Sequence, residues 1–283
     1  MKIDNNRDLS HDSTMCLPSV ADVVYFPESK EELSSIVSEI RDEGKKYHIV
    51  SAGSNVVFAE RVTTPLINLM EVDKSITFID EDCVRVGCSV RIQKLIRELQ
   101  KKGLGGIEYL FSVPTSIGGA VYMNAGRGRD IGIAISDYLE EVEYYSPSEK
   151  CFCVYRKEEG DYSYRMSPFQ GTDWIIVSAT FRFKKQSPEE TERLIKERMD
   201  HSKKYLSADK PSCGTVFCEG NRIIFRLLMG SRCGGAMYSK KTSNWISNMG
   251  QATASDVMSL IKKGIKWHRW IGSKCRVEIK YKE

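Results

Sequence analysis

The sequence predicts an α+β fold in two lobes, and three observations carry that expectation. Amphipathic helices with recognisable caps alternate with short strand-like runs. Two loops of small residues, 51–55 and 112–126, leave the ends of such elements. Near 184–188 the charge density rises, and Ser187-Pro188-Glu189-Glu190 opens a new helix with proline at its first position, where the missing N–H costs nothing.

The first helix is set by Ser29 as N-cap and Glu32 three residues on, the pattern of a capping box. Leu33, Ile36, Val37 and Ile40 form its apolar face and Gly44 stops it. Strands at 23–26 and 47–50 bracket it as a βαβ unit. Strands at 76–79 and 83–87 follow, then a helix expected to be capped by Ser89, with Ile92, Leu95, Ile96 and Leu99 inward and Gly103 at its end. Runs at 138–145, 151–155 and 174–183 read as strands, leaving 162–169 as a loop. The last hundred residues hold a basic helix to about Tyr205, a loop at 211–217 and a Gly-rich stretch at 230–235. A helix opened by Thr253 or Ser255 then buries Val257, Leu260, Ile261 and Ile265, and a closing strand runs over 277–279.

A chain of 283 residues can bury two cores, and its 41% hydrophobic and 28% charged content is that of an ordinary globular protein. No apolar run approaches the roughly 18 residues of a membrane span, and the polar N-terminus lacks the apolar core of a signal peptide. The expectation is a cytoplasmic monomer without membrane or nucleic-acid partners. A net charge of +4 is too small for nucleic acid and suits a small anionic ligand. Nine cysteines with no C-x-x-C, and only four histidines, read as reduced thiols. No metal is expected, since Cys83/Cys88, Cys151/Cys153 and Cys213/Cys218 have the wrong spacing for a zinc ribbon.

Candidate chemistry lies in the loops. In 112–126, Gly118, Gly119 and Gly126 allow close backbone approach, Pro114 stiffens the loop, and Asn124 can both donate and accept. Ser51, Gly53, Ser54 and Asn55 offer donors for a phosphate at a strand end, whereas G-x-G-x-x-G and G-x-x-x-x-G-K-[ST] are both missing from the sequence.

Six elements in order over residues 14–279 resemble the UDP-N-acetylenolpyruvoylglucosamine reductase family, flavoenzymes of peptidoglycan precursor synthesis. They are Gly53-Ser54-Asn55; Gly118-Gly119-Ala120 with Asn124-Ala125-Gly126; Tyr164-Arg165 with Ser167 and Phe169; Pro211-Ser212 with Gly214 and Phe217; Asn248 with Ala252-Thr253-Ala254 and Asp256-Val257; and Glu278. The short segment between Arg165 and Thr215 resembles the type that lacks an inserted tyrosine loop. The resemblance implies an FAD-binding fold of the vanillyl-alcohol-oxidase (PCMH) type over 14–185, in subdomains 14–72 and 73–185, and a C-terminal α+β substrate-binding subdomain over 186–283.

It also implies roles. FAD would be held by Ser51, Ala52, Gly53, Ser54, Asn55 and Val56 at its pyrophosphate, and by Pro114, Thr115, Ser116, Gly118, Gly119, Asn124, Ala125 and Gly126 along the ring. NADPH would reduce it, and a UDP-sugar enolpyruvyl ether would accept the hydride. Arg165 and Glu278 would stabilise negative charge at the substrate carboxylate, Thr215 would stand in for the family's proton-donating serine, and Tyr164, Ser239 and Asn248 would bind substrate. Two departures mark this chain: Thr215 adds a methyl beside the substrate, and Cys218-Glu219-Gly220 replaces Lys-Asn-Pro, placing a carboxylate where a nucleotide diphosphate is expected. Ser51, Ser112 and Thr115 replace glycines. Two alternatives therefore stay open: an FAD enzyme acting on another activated sugar or related acid, and a catalytically silent flavin-binding protein.

Overall fold

A computed structural model describes residues 1–127, 132–207 and 209–283. They form two compact units: Met1–Ile3, Tyr25–Ala52 and Leu66–Asp200 make the first, and Asp4–Val24, Gly53–Pro65 and His201–Glu283 the second. This differs from a linear division at 185/186. The second unit recruits Gly53–Pro65 because the strand Val56–Phe58 pairs in parallel with Lys280–Lys282. Among the described residues no helix is long and apolar enough to cross a membrane.

The first unit is built on an antiparallel sheet in the order Cys151–Arg156, Leu139–Ser146, Ile175–Arg182, Cys83–Gly87, Ile76–Phe78. Its central strand Ile175–Arg182 is buried at every residue but the last, and helix Ile117–Tyr122 packs against it. Helix Ile92–Lys101 buries the four apolar residues its periodicity marks, each contributing on the order of 2 kcal/mol. The expected Ser89 cap is not formed: the N-cap is Arg91, which makes no side-chain cap bond. The Ser89 hydroxyl instead donates to Leu69 O at 2.5 Å and accepts from Asp73 N at 3.0 Å, tying down the preceding turn.

Helix Lys30–Asp42 starts at Ser29, whose hydroxyl accepts from Glu32 N at 3.2 Å. Only half of the capping box forms, because the Glu32 carboxylate reaches back to Glu28 N at 2.9 Å rather than to the cap residue. The following strand, His48–Val50, pairs in parallel with Leu66–Asn68.

In the second unit helix Ala254–Trp270 carries a complete capping box. Thr253 Oγ1 accepts from Asp256 N at 3.1 Å, and Asp256 Oδ2 accepts from Thr253 N at 3.0 Å. Val257, Leu260 and Ile261 are buried as expected, Ile265 is half-buried, and Gly264 and His268 complete the inward face. Gly264 has no room for a side chain, since a Cβ there would lie 2.8 Å from the Phe217 ring. A sheet of Arg232–Cys233, Ala236–Tyr238 and Ile246–Asn248 packs on this helix. The expected closing strand is interrupted: Arg276–Val277 pairs with Phe217–Glu219, and Lys280–Lys282 turns to Val56–Phe58. Glu278 thus sits between two short strands, with its N–H donating to Val216 O at 2.8 Å.

Candidate active site

In the first unit, Ser116 caps helix Ile117–Tyr122, its hydroxyl accepting from Gly119 N at 3.3 Å. The same hydroxyl lies 2.7 Å from Ser51 Oγ, so the start of the first small-residue loop meets the second. Pro114 is exposed while Thr115 and Ser116 are buried. The glycines answer to the protein's own packing. A Cβ on Gly118 would approach Cys88 Cβ to 3.1 Å, one on Gly119 would approach Thr115 Oγ1 to 3.1 Å, and one on Gly126 would stand 2.4 Å from Ile133 O.

The polar groups at the end of this loop behave differently. Asn124 is buried in the left-handed region at φ +43, donates through Nδ2 to Ser163 O at 2.9 Å, and leaves Oδ1 buried without a hydrogen-bond partner. Arg165 also has φ +58, a conformation that costs a non-glycine residue on the order of 1 kcal/mol. Its guanidinium donates to Asn124 O at 3.3 Å and Gly126 O at 3.1 Å and stacks 5.3 Å from the half-buried Tyr164 ring. Ser167 and Gln170 both donate to Tyr122 O at 2.8 Å, and Phe169 is fully buried among Tyr144, Tyr155 and Trp174. The strained pair Asn124 and Arg165 therefore brace one another across two motifs about forty residues apart.

Two phenols share the orphaned character of Asn124 Oδ1. Tyr109 and Tyr162 have buried hydroxyls with no hydrogen-bond partner, and burial pushes both above the ordinary phenol range, so each remains a donor. Tyr109 feels the charge of Arg165, and Tyr162 precedes Ser163 in the chain. A buried acceptor left without a donor is the kind of group that the amide-like edge of a flat ligand satisfies.

In the second unit, Gly53 at φ +68 is obligatory, because a Cβ would stand 1.9 Å from Asp12 O. Thr14 donates to Gly53 O at 3.2 Å and to Ser54 O at 3.4 Å. Asn55 Nδ2 donates to Glu278 O at 3.0 Å, and Lys280 N donates to Asn55 O at 2.9 Å. Val56 O accepts from Ser13 Oγ and Cys213 Sγ. Thr215 bridges to Trp245, and its neighbour Val216 receives the Glu278 N–H, so Thr215 and Glu278 come from one local framework. Asn244 holds that framework: its amide accepts from Phe217 N at 3.0 Å and donates to Phe217 O at 2.7 Å.

Ser239 and Asn248 are committed internally. The Ser239 hydroxyl accepts from Lys241 N at 3.0 Å and Thr242 N at 3.1 Å. Asn248 donates to Met15 O and Cys16 O and accepts from Gly250 N and Ala252 N, which fills all four of its hydrogen-bond positions. Asn248 holds loops and has little left to offer a substrate, whereas the two Ser239 bonds use only its lone pairs and leave its O–H to donate. Glu219 lies directly across the sheet from Arg276, a cation placed to offset its charge. The turn after it is pinned by fully buried His268, whose Nε2 accepts from Asn221 N at 2.9 Å while Nδ1 faces Gly264 O at 2.7 Å.

Sequence reasoning missed Tyr109, Tyr162, Asn244, Trp245 and Ser247; the last two each bury a polar atom without a hydrogen-bond partner. It also missed Gln93, which donates to Phe111 O at 2.9 Å and Val113 O at 2.7 Å and fixes the start of the 112–126 loop. None of these has a local sequence signal. The basic cluster at the end of the long helix divides: Lys203 and Lys204 are exposed, whereas Arg198 is half-buried and donates to Ser112 Oγ at 2.7 Å.

A family model described as an FAD binding domain matches residues 21–152. UDP-N-acetylenolpyruvoylglucosamine reductase of Halalkalibacterium halodurans is 30% identical over 264 residues, covering 90% of this chain and 86% of that protein. The chain belongs to the UDP-N-acetylenolpyruvoylglucosamine reductase family. The Fusobacterium nucleatum reductase is also 30% identical, over 94% of each chain. The crystal structure of the Thermus caldophilus reductase superposes with a TM-score of 0.79 at 28% identity, covering 100% of both chains. The fold is accordingly α+β with an FAD-binding domain of the PCMH type, and the protein is an FAD-dependent oxidoreductase with NADPH as reductant, as in the rest of this reductase family.

Proposed function

We propose that this chain reduces the enolpyruvyl ether of a UDP-sugar, UDP-N-acetylglucosamine enolpyruvate, as a cytoplasmic monomer, with 14–185 serving the cofactor and 186–283, joined by Tyr164 and Arg165, the substrate. The observation that carries the cofactor assignment is the buried, unpartnered Oδ1 of Asn124 beside Arg165, since a buried acceptor left open costs about 1–3 kcal/mol unless a ligand supplies its donor. Bound there, FAD would supply the substrate double bond with hydride originating from NADPH.

The chain's own residues do the rest. Asn124, Ala125 and Gly126, with Pro114, Thr115, Ser116, Gly118 and Gly119, shape the ring side of the cofactor site; Ser51, Ala52, Gly53, Ser54, Asn55 and Val56 supply the diphosphate side. Arg165 and Glu278 bind and polarise the substrate carboxylate, and Tyr164 positions the Arg165 guanidinium through its ring. The Thr215 hydroxyl holds the proton for the carbon that receives one, on a backbone fixed by Trp245 and Asn244. Asn248 acts by holding loops, and Ser239, which accepts from its own turn, keeps its O–H to donate to the substrate. The Glu219 carboxylate, facing Arg276, does not exclude a diphosphate.

Spectral titration tests this reading. The purified protein is expected to be yellow, to bleach with NADPH, and to regain its flavin absorbance on adding UDP-N-acetylglucosamine enolpyruvate. Bleaching without substrate-driven recovery would transfer the protein to another activated sugar or acid, and absence of flavin would sink the cofactor assignment. Thr215→Ala should lower kcat by about a hundredfold or more while Thr215→Ser retains turnover; an unchanged rate in the alanine variant would remove Thr215 from the chemistry.

A further inference from the structure

Outside the flavoenzyme machinery, at one edge of the first unit's sheet, the hairpin joining Leu139–Ser146 to Cys151–Arg156 gathers three soft or anionic ligand atoms. Strand geometry puts Cys151 and Cys153, two residues apart, on the same face, while Phe152 between them turns to the other face and packs 5.1 Å from Tyr145. Ser146 pairs with Cys151, and Lys150 takes φ +55, so the turn folds Glu149 back over the start of the strand. Cys151 Sγ and Cys153 Sγ are 3.4 Å apart, and Glu149 Oε2 lies 3.8 Å from the first and 3.5 Å from the second.

That triangle has the dimensions of a metal coordination face. Tetrahedral zinc, with Zn–S of about 2.3 Å and Zn–O of about 2.0 Å, places two sulfurs about 3.8 Å apart and each sulfur about 3.5 Å from the oxygen. The three observed separations fall within about 0.4 Å of those values, so an ion would part the sulfurs slightly and draw the carboxylate toward Cys151. Among the described residues this is the one such grouping of histidine, cysteine or carboxylate side chains. The spacing C-x-C belongs to no zinc ribbon, and the third ligand comes from the turn before the strand.

We propose that Glu149, Cys151 and Cys153 bind a thiophilic divalent cation of the zinc class. Binding releases the two thiol protons to solvent, and two thiolates with one carboxylate around the dication leave a net charge of −1. Glu149 and Cys151 are exposed and Cys153 is half-exposed, so water or a small external ligand completes the tetrahedron, and the ion exchanges with solution. The proposal is independent of the substrate reading.

The experiment titrates ZnCl2 into chelator-treated, fully reduced flavoprotein in competition with a chromophoric chelator, and repeats the titration with CdCl2 to read thiolate-to-cadmium absorption. The wild type should take up one equivalent that the Cys151→Ser/Cys153→Ser double variant lacks, with affinity falling at least a hundredfold. Glu149→Gln should weaken binding about tenfold, and Cys275→Ser, at a half-buried thiol elsewhere, should leave it unchanged. Equal flavin content per chain in every variant separates loss of the site from loss of the fold. Uptake that is the same in the wild type and the double variant overturns the site, and an unaltered Glu149→Gln titration overturns the three-ligand arrangement.

Discussion

Asn124 and Asn248 look alike in the sequence: each sits near an alanine in a Gly-containing stretch, each is buried, and each is expected to touch a ligand. In the structure they part. Asn248 spends both amide hydrogens and both lone-pair positions on four backbone groups, whereas Asn124 spends one hydrogen on Ser163 O and keeps Oδ1 buried and open. A satisfied amide is a structural rivet. An unsatisfied one, held in a strained backbone conformation and braced by an equally strained arginine, is a feature that folding alone does not reward and ligand binding does.

The largest effect should come from Asn248→Ala, which strips partners from four backbone groups, those of Met15, Cys16 and Ala252 in buried or half-buried residues. We expect a loss of about 4 kcal/mol in urea unfolding of the flavin-free protein. Glu143 sharpens the contrast because it is a fully satisfied group in the same unit as Asn124. Burial alone would raise its carboxyl, but hydrogen bonds from Lys30, Arg85 and Ser178 hold it down at about 2. Its folded value lies below the unfolded one, so its contribution is present above about pH 4.5 and is lost as the pH falls toward 2. Glu143→Gln should cost about 2 kcal/mol at pH 7 and nearly nothing at pH 2, read from unfolding midpoints at the two pH values.

Asn124→Ala should move the flavin-free protein by no more than about 1 kcal/mol yet raise the flavin dissociation constant roughly tenfold or more. If it destabilises the apoprotein as much as Asn248→Ala does, the distinction between the two amides collapses. The smallest effect on stability is expected for Ser239→Ala, about 1 kcal/mol in urea unfolding from two lost turn hydrogen bonds.

What could be read ahead of the structure follows from how local the cause is. Helix Ala254–Trp270 is legible because Thr253 and Asp256 cap it three residues apart, and the face of Ile92, Leu95, Ile96 and Leu99 because 3.6 residues make a turn. Ser89 misled because its hydroxyl found Leu69 O, a partner some twenty residues back, in place of the helix it precedes. The committed state of Asn248 was invisible for the same reason, since Met15 and Cys16 lie far away in the chain. The glycines of the 112–126 loop were readable as close approaches but not as approaches to Cys88, Thr115 and Ile133 instead of to a ligand. The unpartnered hydroxyls of Tyr109 and Tyr162 carry no pattern at all; only burial without a partner singles them out.

The parallel pairing of Val56–Phe58 with Lys280–Lys282 has a consequence for biosynthesis. Residues 53–55, which precede that strand, are synthesised roughly 220 residues before the segment that anchors them, so this loop cannot reach its final form until residues 280–282 have left the ribosome. A chain arrested before residue 280 therefore carries a complete central sheet in the first unit but an unanchored 53–58 segment.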